Sequence, residues 1–206
     1  MKYLQLLIVF LLCYSCKNPQ ANKTVELGIE RNVLNDSVLD LISEFNKSND
    51  TMLVEKALLL SDKMISIDKN KDYEIQNLNL RGQILYYLGR YKENFELTGL
   101  LLSKNGSNID RMIHKAVDFK MKNQNDSVRY CLDSTLEECN SIITDSLDIP
   151  TVFKIAEIHV IMGKKSEIGK IVKELLNKYP EKSEELNIIF EEADEIEKKL
   201  SLLLKK

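Results

Sequence analysis

Apolar residues recur at helical spacing along most of this chain, and the clearest example is the stretch 78–91, LNLRGQILYYLGRY. It carries Gly82 in the middle of an apolar helical pattern and has Gly89 near its end. Glycine ends a helix at little cost, because it adopts the left-handed conformation without steric strain. A second helical pattern follows at once, over residues 92–103. The stretch therefore predicts two helices joined by a short turn.

Two more helices are predicted upstream of this pair. The first starts after the capping residues 35–37 and the second after the capping residues 49–51, since Asn, Asp, Ser and Thr favour helix N-termini. Their predicted apolar faces are Val38, Leu41, Ile42 and Phe45, and then Leu53, Ala57, Leu60, Met64 and Ile67.

The spacing of small residues indicates an internal repeat. Ala116 lies 34 residues after Gly82, and Asn123 lies 34 residues after Gly89. Small residues let two helices approach closely, and asparagine is the next best residue after glycine for a left-handed turn. Ala156 and Gly163 follow 40 residues later in each series, which is the same period with a six-residue insertion. The repeats are predicted at about 37–71, 75–108, 109–142 and 149–182, with a short insertion at 143–148.

This spacing resembles the tetratricopeptide repeat (TPR) family. The resemblance implies an all-α fold, a TPR-like α-solenoid of antiparallel helix hairpins that stack because one hairpin cannot bury its own apolar face. The helical domain is expected over residues 27–206. Its last segment, 183–206, is predicted to be a capping helix with a polar outer side; alternatively, its apolar face contacts a partner.

The N-terminus is typical of an export signal. Lys2 precedes an apolar run at residues 4–12, which is too short to span a bilayer as a helix. Ser15 and Cys16 then resemble a bacterial lipoprotein signal, which implies a signal peptide at 1–15 and a lipidated cysteine at Cys16, followed by a flexible tether to residue 26. Cys13 fits the lipidated position less well, because Leu12 precedes it. An ordinary cleaved signal is the alternative.

The sorting rule of such lipoproteins points to the outer membrane, since no Asp follows Cys16. Whether the domain faces the periplasm or the cell surface is left open. The formal net charge of −3 gives no basic excess for phosphate contacts, so nucleic acid is not an expected partner. The membrane is expected to be contacted through the N-terminal lipid.

Candidate chemistry is sparse in this sequence. His114 and His159 lie on predicted helices without further metal-ligating residues at suitable spacing, so a structural role is expected for both and no metal or other cofactor is predicted. Cys131 and Cys139 are eight residues apart, about 12 Å of helical rise, which predicts buried free thiols. Three Asp-Ser pairs, at 36–37, 126–127 and 145–146, resemble a bacterial O-glycosylation motif, although helix capping explains them too.

The TPR resemblance also implies a binding surface. In that family the first helix of each hairpin lines a concave groove that binds peptides. The candidate groove residues are Asn79, Gln83, Tyr86, Tyr87, Ile113, Val117, Lys120, Phe153 and Glu157. Alternatively, neighbouring repeats or the segment 183–206 cover these side chains.

Together these features predict a non-catalytic scaffold of the bacterial cell envelope, anchored by lipid, that binds an envelope protein or peptide in its groove. Aromatic groove residues suit an anchoring role in such an interface. The alternatives are a small-ligand-binding lipoprotein and a non-catalytic subunit of an envelope enzyme complex.

Overall fold

The computed structural model describes residues 19–68, 71 and 73–205, with side chains from residue 29 onwards except that of Asp145. The described residues form α-helices and one short 3-10 helix, and no strand, which confirms the all-α prediction. The signal peptide 1–15 and Cys16 lie outside the described residues. The helices are α1 (Pro19–Ser48), α2 (Thr51–Ile67), α3 (Glu74–Tyr87), α4 (Tyr91–Asn105), α5 (Asn108–Met121), α6 (Asn125–Asp145), α7 (Ile149–Ile161), α8 (Lys165–Lys178) and α9 (Ser183–Leu204), and the 3-10 helix is Pro180–Lys182.

The predicted turn residues have the left-handed backbone that their identity suggests. Gly89, Asn123 and Gly163 have φ angles of 69°, 58° and 71°, and each separates two helices. In all three turns the next residue donates its N–H to the carbonyl five residues back, for example from Arg90 to the Leu85 carbonyl over 2.9 Å. The turn residue itself donates to the carbonyl three residues back. This is the Schellman ending of a helix, repeated three times with the same hydrogen bonds.

Side chains cap several helix starts. Asp50 accepts a hydrogen bond from the Met52 N–H, which confirms the predicted start of α2. Ser107 and Asp148 likewise cap α5 and α7, each accepting a hydrogen bond from the N–H of the third residue of its helix. Helices α3, α5 and α7 begin at residues 74, 108 and 149, next to the predicted repeat starts.

The first helix differs from its prediction. The cluster at 35–37 is not an N-cap, because α1 runs from Pro19 through it, and the Ser37 hydroxyl donates to the Val33 carbonyl within the helix. Proline suits a first helical position. Leu34 then extends the buried stripe backwards from Val38, so tertiary packing carries the helix past the polar cluster. Residues 19–26, for which the sequence suggested a tether, are also helical.

The chain divides into two compact units, residues 1–90 and 91–206. In the first, α1 packs on α2 and α2 on α3. The buried face of α2 is rotated from the predicted one: Leu53, Leu60 and Ile67 are only half-buried. The residues buried along α2 are Val54, Ala57, Leu58, Ser61 and Met64.

In the second unit, helices adjacent in sequence pack on one another from α4 to α9, and α5 also contacts α7. The first three residues of the predicted insertion at 143–148 extend α6, which reaches Asp145. Two buried clusters form the core, one around Ala116, Leu132 and Ile158, the other around Ala156 and Leu186. The last helix, α9, packs against α7 and α8 and also against α4.

The small residues expected at helix contacts are buried. Gly82 is buried on α3, and Ala116 and Ala156 are 0% and 3% exposed. The predicted repeat 75–108 contains α3 from the first unit and α4 from the second. The assignment of these helix pairs to a TPR-type solenoid stays a prediction.

Candidate functional site

The exposed side of α3 carries four of the predicted groove residues. Asn79 and Gln83 are exposed, Tyr87 is 41% exposed, and Tyr86 is half-buried. They share one side of the helix because residues three or four apart are neighbours on a helix surface.

Helix α1 contributes aromatic and cationic groups to the same surface. The Phe45 ring meets the Tyr87 ring edge to face at 5.6 Å, and Tyr87 meets Tyr86 at 6.4 Å. Near the start of α3, the Arg31 guanidinium lies 3.8 Å from the centroid of the Tyr73 ring. We call this surface the α1–α3 face; it consists of Arg31, Asn35, Ile42 and Phe45, together with Tyr73, Gln76, Asn79, Gln83, Tyr86 and Tyr87.

Side-chain amides and aromatic rings dominate the α1–α3 face. Asn35 and Ile42 follow Arg31 by four and eleven residues, which places them on the side of α1 that holds Arg31. The carboxylates of Asp36, Asp40 and Glu44 recur every four residues on the opposite side.

Two ion pairs join neighbouring helices of this unit. Glu30 pairs with Lys63 at 2.9 Å, and Asp62 pairs with Arg81 at 2.7 Å. The α1–α3 face therefore holds one guanidinium among neutral polar and aromatic groups.

The predicted groove residues of the second unit are mostly engaged in internal contacts. Ile113 and Val117 are 3% and 8% exposed and belong to the same buried cluster as Leu203 of α9. Phe153 of α7 packs against the other buried cluster, which contains Leu186 of α9. The alternative that α9 covers part of this surface thus agrees with these contacts, whereas a binding role for the three residues stays a prediction.

Lys120 and Glu157 take part in polar contacts between helices. Lys120 donates from Nζ to the Ile161 carbonyl oxygen over 2.7 Å. Glu157 lies 3.3 Å from Lys154, which pairs at 2.8 Å with Asp110 of α5. Burial raises the pKa of Asp110, but hydrogen bonds from Lys154 and Ser107 outweigh it, so this pKa is lowered. The network holds α5 and α7 together.

A cavity of about 300 Å³ lies beside the end of α9 in the second unit. Lys92, Lys120 and Lys205 line it together with Asn123 and Asn125, and its apolar part is formed by Met121, Leu203 and Leu204. Among these residues, sequence analysis had proposed only Lys120 for a binding surface. The others come from three separate segments of the chain, around residues 92, 121–125 and 203–205, so no local pattern unites them.

Both histidines and both cysteines have packing environments. The His114 ring stacks on Phe95 at 3.9 Å, and its Nε2 donates to the Phe95 carbonyl. His159 is buried, which lowers its pKa, and its Nδ1 has no partner among the described residues. Cys131 and Cys139 are buried free thiols, as predicted, and burial raises the pKa of Cys139 to about 11.

Within the described part of the chain, no three His, Cys, Asp or Glu side chains are grouped to hold a metal ion. None of the helices in that part combines the length and apolar character that crossing a membrane requires.

Comparison with known proteins gives no match, whether to a protein-family model, a curated protein or a solved structure. The candidate site therefore rests on residues and geometry alone. Sequence analysis found the α3 half of the α1–α3 face but missed Arg31, Tyr73 and Phe45. The available signal was the helical spacing of Arg31, Val38 and Phe45 across the supposed cap at 35–37.

Proposed function

We propose that this protein is a lipid-anchored, TPR-like scaffold of the bacterial cell envelope that binds a segment of another protein and performs no catalysis itself. The observation that carries the proposal is the α1–α3 face, where Tyr87, Gln83 and Asn79 are exposed beside the Phe45 ring. Aromatic anchors flanked by adaptable polar groups are typical of protein-binding surfaces. Under this proposal the helix pairs with Schellman turns are degenerate TPR units.

The proposed address is the outer membrane, with acyl chains on Cys16. Its support is the sequence alone: a short apolar run, Ser15 before Cys16, and no Asp directly after Cys16. Metabolic labelling with a fatty-acid analogue tests this. We expect label on the wild type and on Cys13→Ala but none on Cys16→Ala. Label that survives Cys16→Ala would refute the assignment.

Site-specific photo-crosslinking in native membranes tests the scaffold function. A photoreactive residue at Gln83 lies on the α1–α3 face, and one at Asp40 lies on the opposite side of α1 as a matched exposed control. We expect a discrete protein adduct from position 83 that position 40 does not give and that Tyr87→Ala weakens. Equal adducts from both positions, or none from position 83, would refute the proposed face.

A second candidate function is binding of a small anionic ligand in the cavity beside α9. Three lysines line that cavity and favour an anion. The other side chains that line it are amides or apolar groups. A volume of about 300 Å³ is within the range of small-ligand sites. Thermal unfolding with and without succinate or phosphate tests it: a ligand raises the melting temperature of wild type but not of Lys120→Ala.

A further inference from the structure

The guanidinium of Arg31 on the α1–α3 face is held in place by neutral groups. It lies over the Tyr73 ring at 3.8 Å, and NH2 donates to the Gln76 side-chain oxygen over 3.0 Å. Among the described residues, NH1 makes only a long contact of 3.4 Å with Asn32. Nε is shielded from solvent and has no acceptor among the described residues. Stacking and one amide thus orient the guanidinium.

The charge of Arg31 has no carboxylate partner within the described part of the chain. Its neighbour Glu30 pairs with Lys63, and Asp68, before α3, accepts from the Tyr73 N–H and the Asn77 side chain. An oriented guanidinium with open donors suits a carboxylate, which it can bind through two parallel hydrogen bonds.

The rest of the α1–α3 face suits an extended backbone. Asn79 and Gln83 are exposed amides, each with donor and acceptor groups. An extended segment presents unpaired N–H and C=O groups to such amides, whereas the backbone of a helix has already paired them. From Gln76, beside Arg31, to Tyr87 the helix rises by about 16 Å, the length of about five extended residues.

We infer that the α1–α3 face binds an extended segment of another polypeptide that carries an Asp or Glu about five residues from a Tyr, Phe or Leu. The carboxylate pairs with Arg31, the backbone pairs with Asn79 and Gln83, and the apolar side chain contacts Tyr87 and Phe45. This inference rests on the proposed scaffold function and specifies the chemistry of its partner.

Selection from a displayed library of random twelve-residue peptides tests the inference, with the full chain as bait. We expect enriched peptides that contain an acidic residue and a large apolar residue four to six positions apart. Synthetic copies are then measured against wild type, Arg31→Gln, Arg31→Lys and Tyr87→Ala. Arg129→Gln, which changes an exposed arginine on α6, is the matched control. Circular dichroism confirms that each variant is folded.

We expect Arg31→Gln to weaken binding by about ten- to a hundredfold, as loss of a charged hydrogen-bonded pair does. Arg31→Lys keeps the positive charge but cannot form two parallel hydrogen bonds, so its affinity should lie between those of wild type and Arg31→Gln. Arg129→Gln should not change the affinity. A peptide with Asn in place of its Asp should bind wild type and Arg31→Gln equally. Once the peptide lacks the carboxylate, the ion pair with Arg31 is already lost, and the second change in the double-mutant cycle has no further effect.

Three outcomes would overturn the inference, and they separate it from the proposed function. Peptides that depend on Tyr87 but show no acidic preference would leave the scaffold function and remove the carboxylate contact. If the selected peptides bind Tyr87→Ala and Arg31→Gln as well as wild type, both the carboxylate contact and the scaffold function of the α1–α3 face are refuted. Dimerisation of the chain that Arg31→Gln abolishes would assign the face to a second copy.

Discussion

The packing of α5 against α4 depends on Gly99, and replacing it with alanine tests this dependence. A Cβ atom at Gly99 would lie 2.7 Å from Cε1 and 3.2 Å from Nε2 of the His114 ring. The ring is not free to move away. It is stacked on Phe95 with centroids 3.9 Å apart, and its Nε2 donates to the Phe95 carbonyl oxygen over 2.9 Å.

Two opposing effects set the magnitude for Gly99→Ala. Alanine inside a helix is more favourable than glycine by about 0.5–1 kcal/mol. Displacing His114 costs its stacking and its hydrogen bond, each worth about 0.5–1.5 kcal/mol. The net result is a lower free energy of unfolding, by up to about 2 kcal/mol.

Gly169→Ala is the matched control. Gly169 lies inside α8, and among the described residues outside its own helix turn nothing lies within 4 Å of the Cβ position. In this variant the free energy of unfolding should rise by about 0.5–1 kcal/mol, the advantage of alanine over glycine inside a helix, because no contact is lost. Both glycines belong to the second unit, so urea unfolding followed by circular dichroism compares them in the same transition.

The two variants should therefore shift the urea midpoint in opposite directions, and their free energies of unfolding should differ by about 1–3 kcal/mol. In a His114→Ala background the penalty at Gly99 should disappear. If Gly99→Ala stabilises the wild-type protein as much as Gly169→Ala does, the His114 contact does not constrain α4 and the reasoning is refuted.

Three further predictions concern caps, protonation and thiols. Asp148→Ala should lower the free energy of unfolding by about 1 kcal/mol in urea titrations, because its carboxylate caps α7. Gln124→Ala should change it little, since Gln124 makes no side-chain cap; equal effects would contradict the cap assignment. Because burial and the nearby charge of Lys164 lower the pKa of His159, the unfolded chain binds that proton more readily. Stability should therefore be complete above about pH 6.5 and fall below it, and His159→Leu should flatten this slope in unfolding measured across pH. In a Cys13→Ser/Cys16→Ser background, a thiol reagent should detect Cys131 and Cys139 only after denaturation; rapid labelling of the folded protein would contradict their burial.

Local sequence signals fixed the turns of this protein. A Schellman ending needs one left-handed residue, and Gly89, Asn123 and Gly163 are the residue types that adopt it at low cost. The Asp50 cap likewise needs only a side-chain oxygen at the right position. The free thiols followed from the rise of a single helix.

Burial was harder to predict, because it depends on neighbouring helices. The pattern of α2 allowed several apolar sides, and packing against α1 and α3 selected the one with Val54 and Leu58. Ile113 and Val117 looked like groove residues in an isolated repeat, yet they lie in a cluster with Leu203, about ninety residues further along the chain.

The sequence by itself thus determined the helical class, the positions of three turns and the start of α2, since these depend on backbone conformation within a few residues. Only the tertiary structure decided that α1 continues through the polar cluster at 35–37, that Arg31 and Phe45 join the exposed side of α3, and that α9 reaches α4. Those contacts join residues far apart in sequence, and apolar periodicity shows that a side is buried without showing which helix covers it.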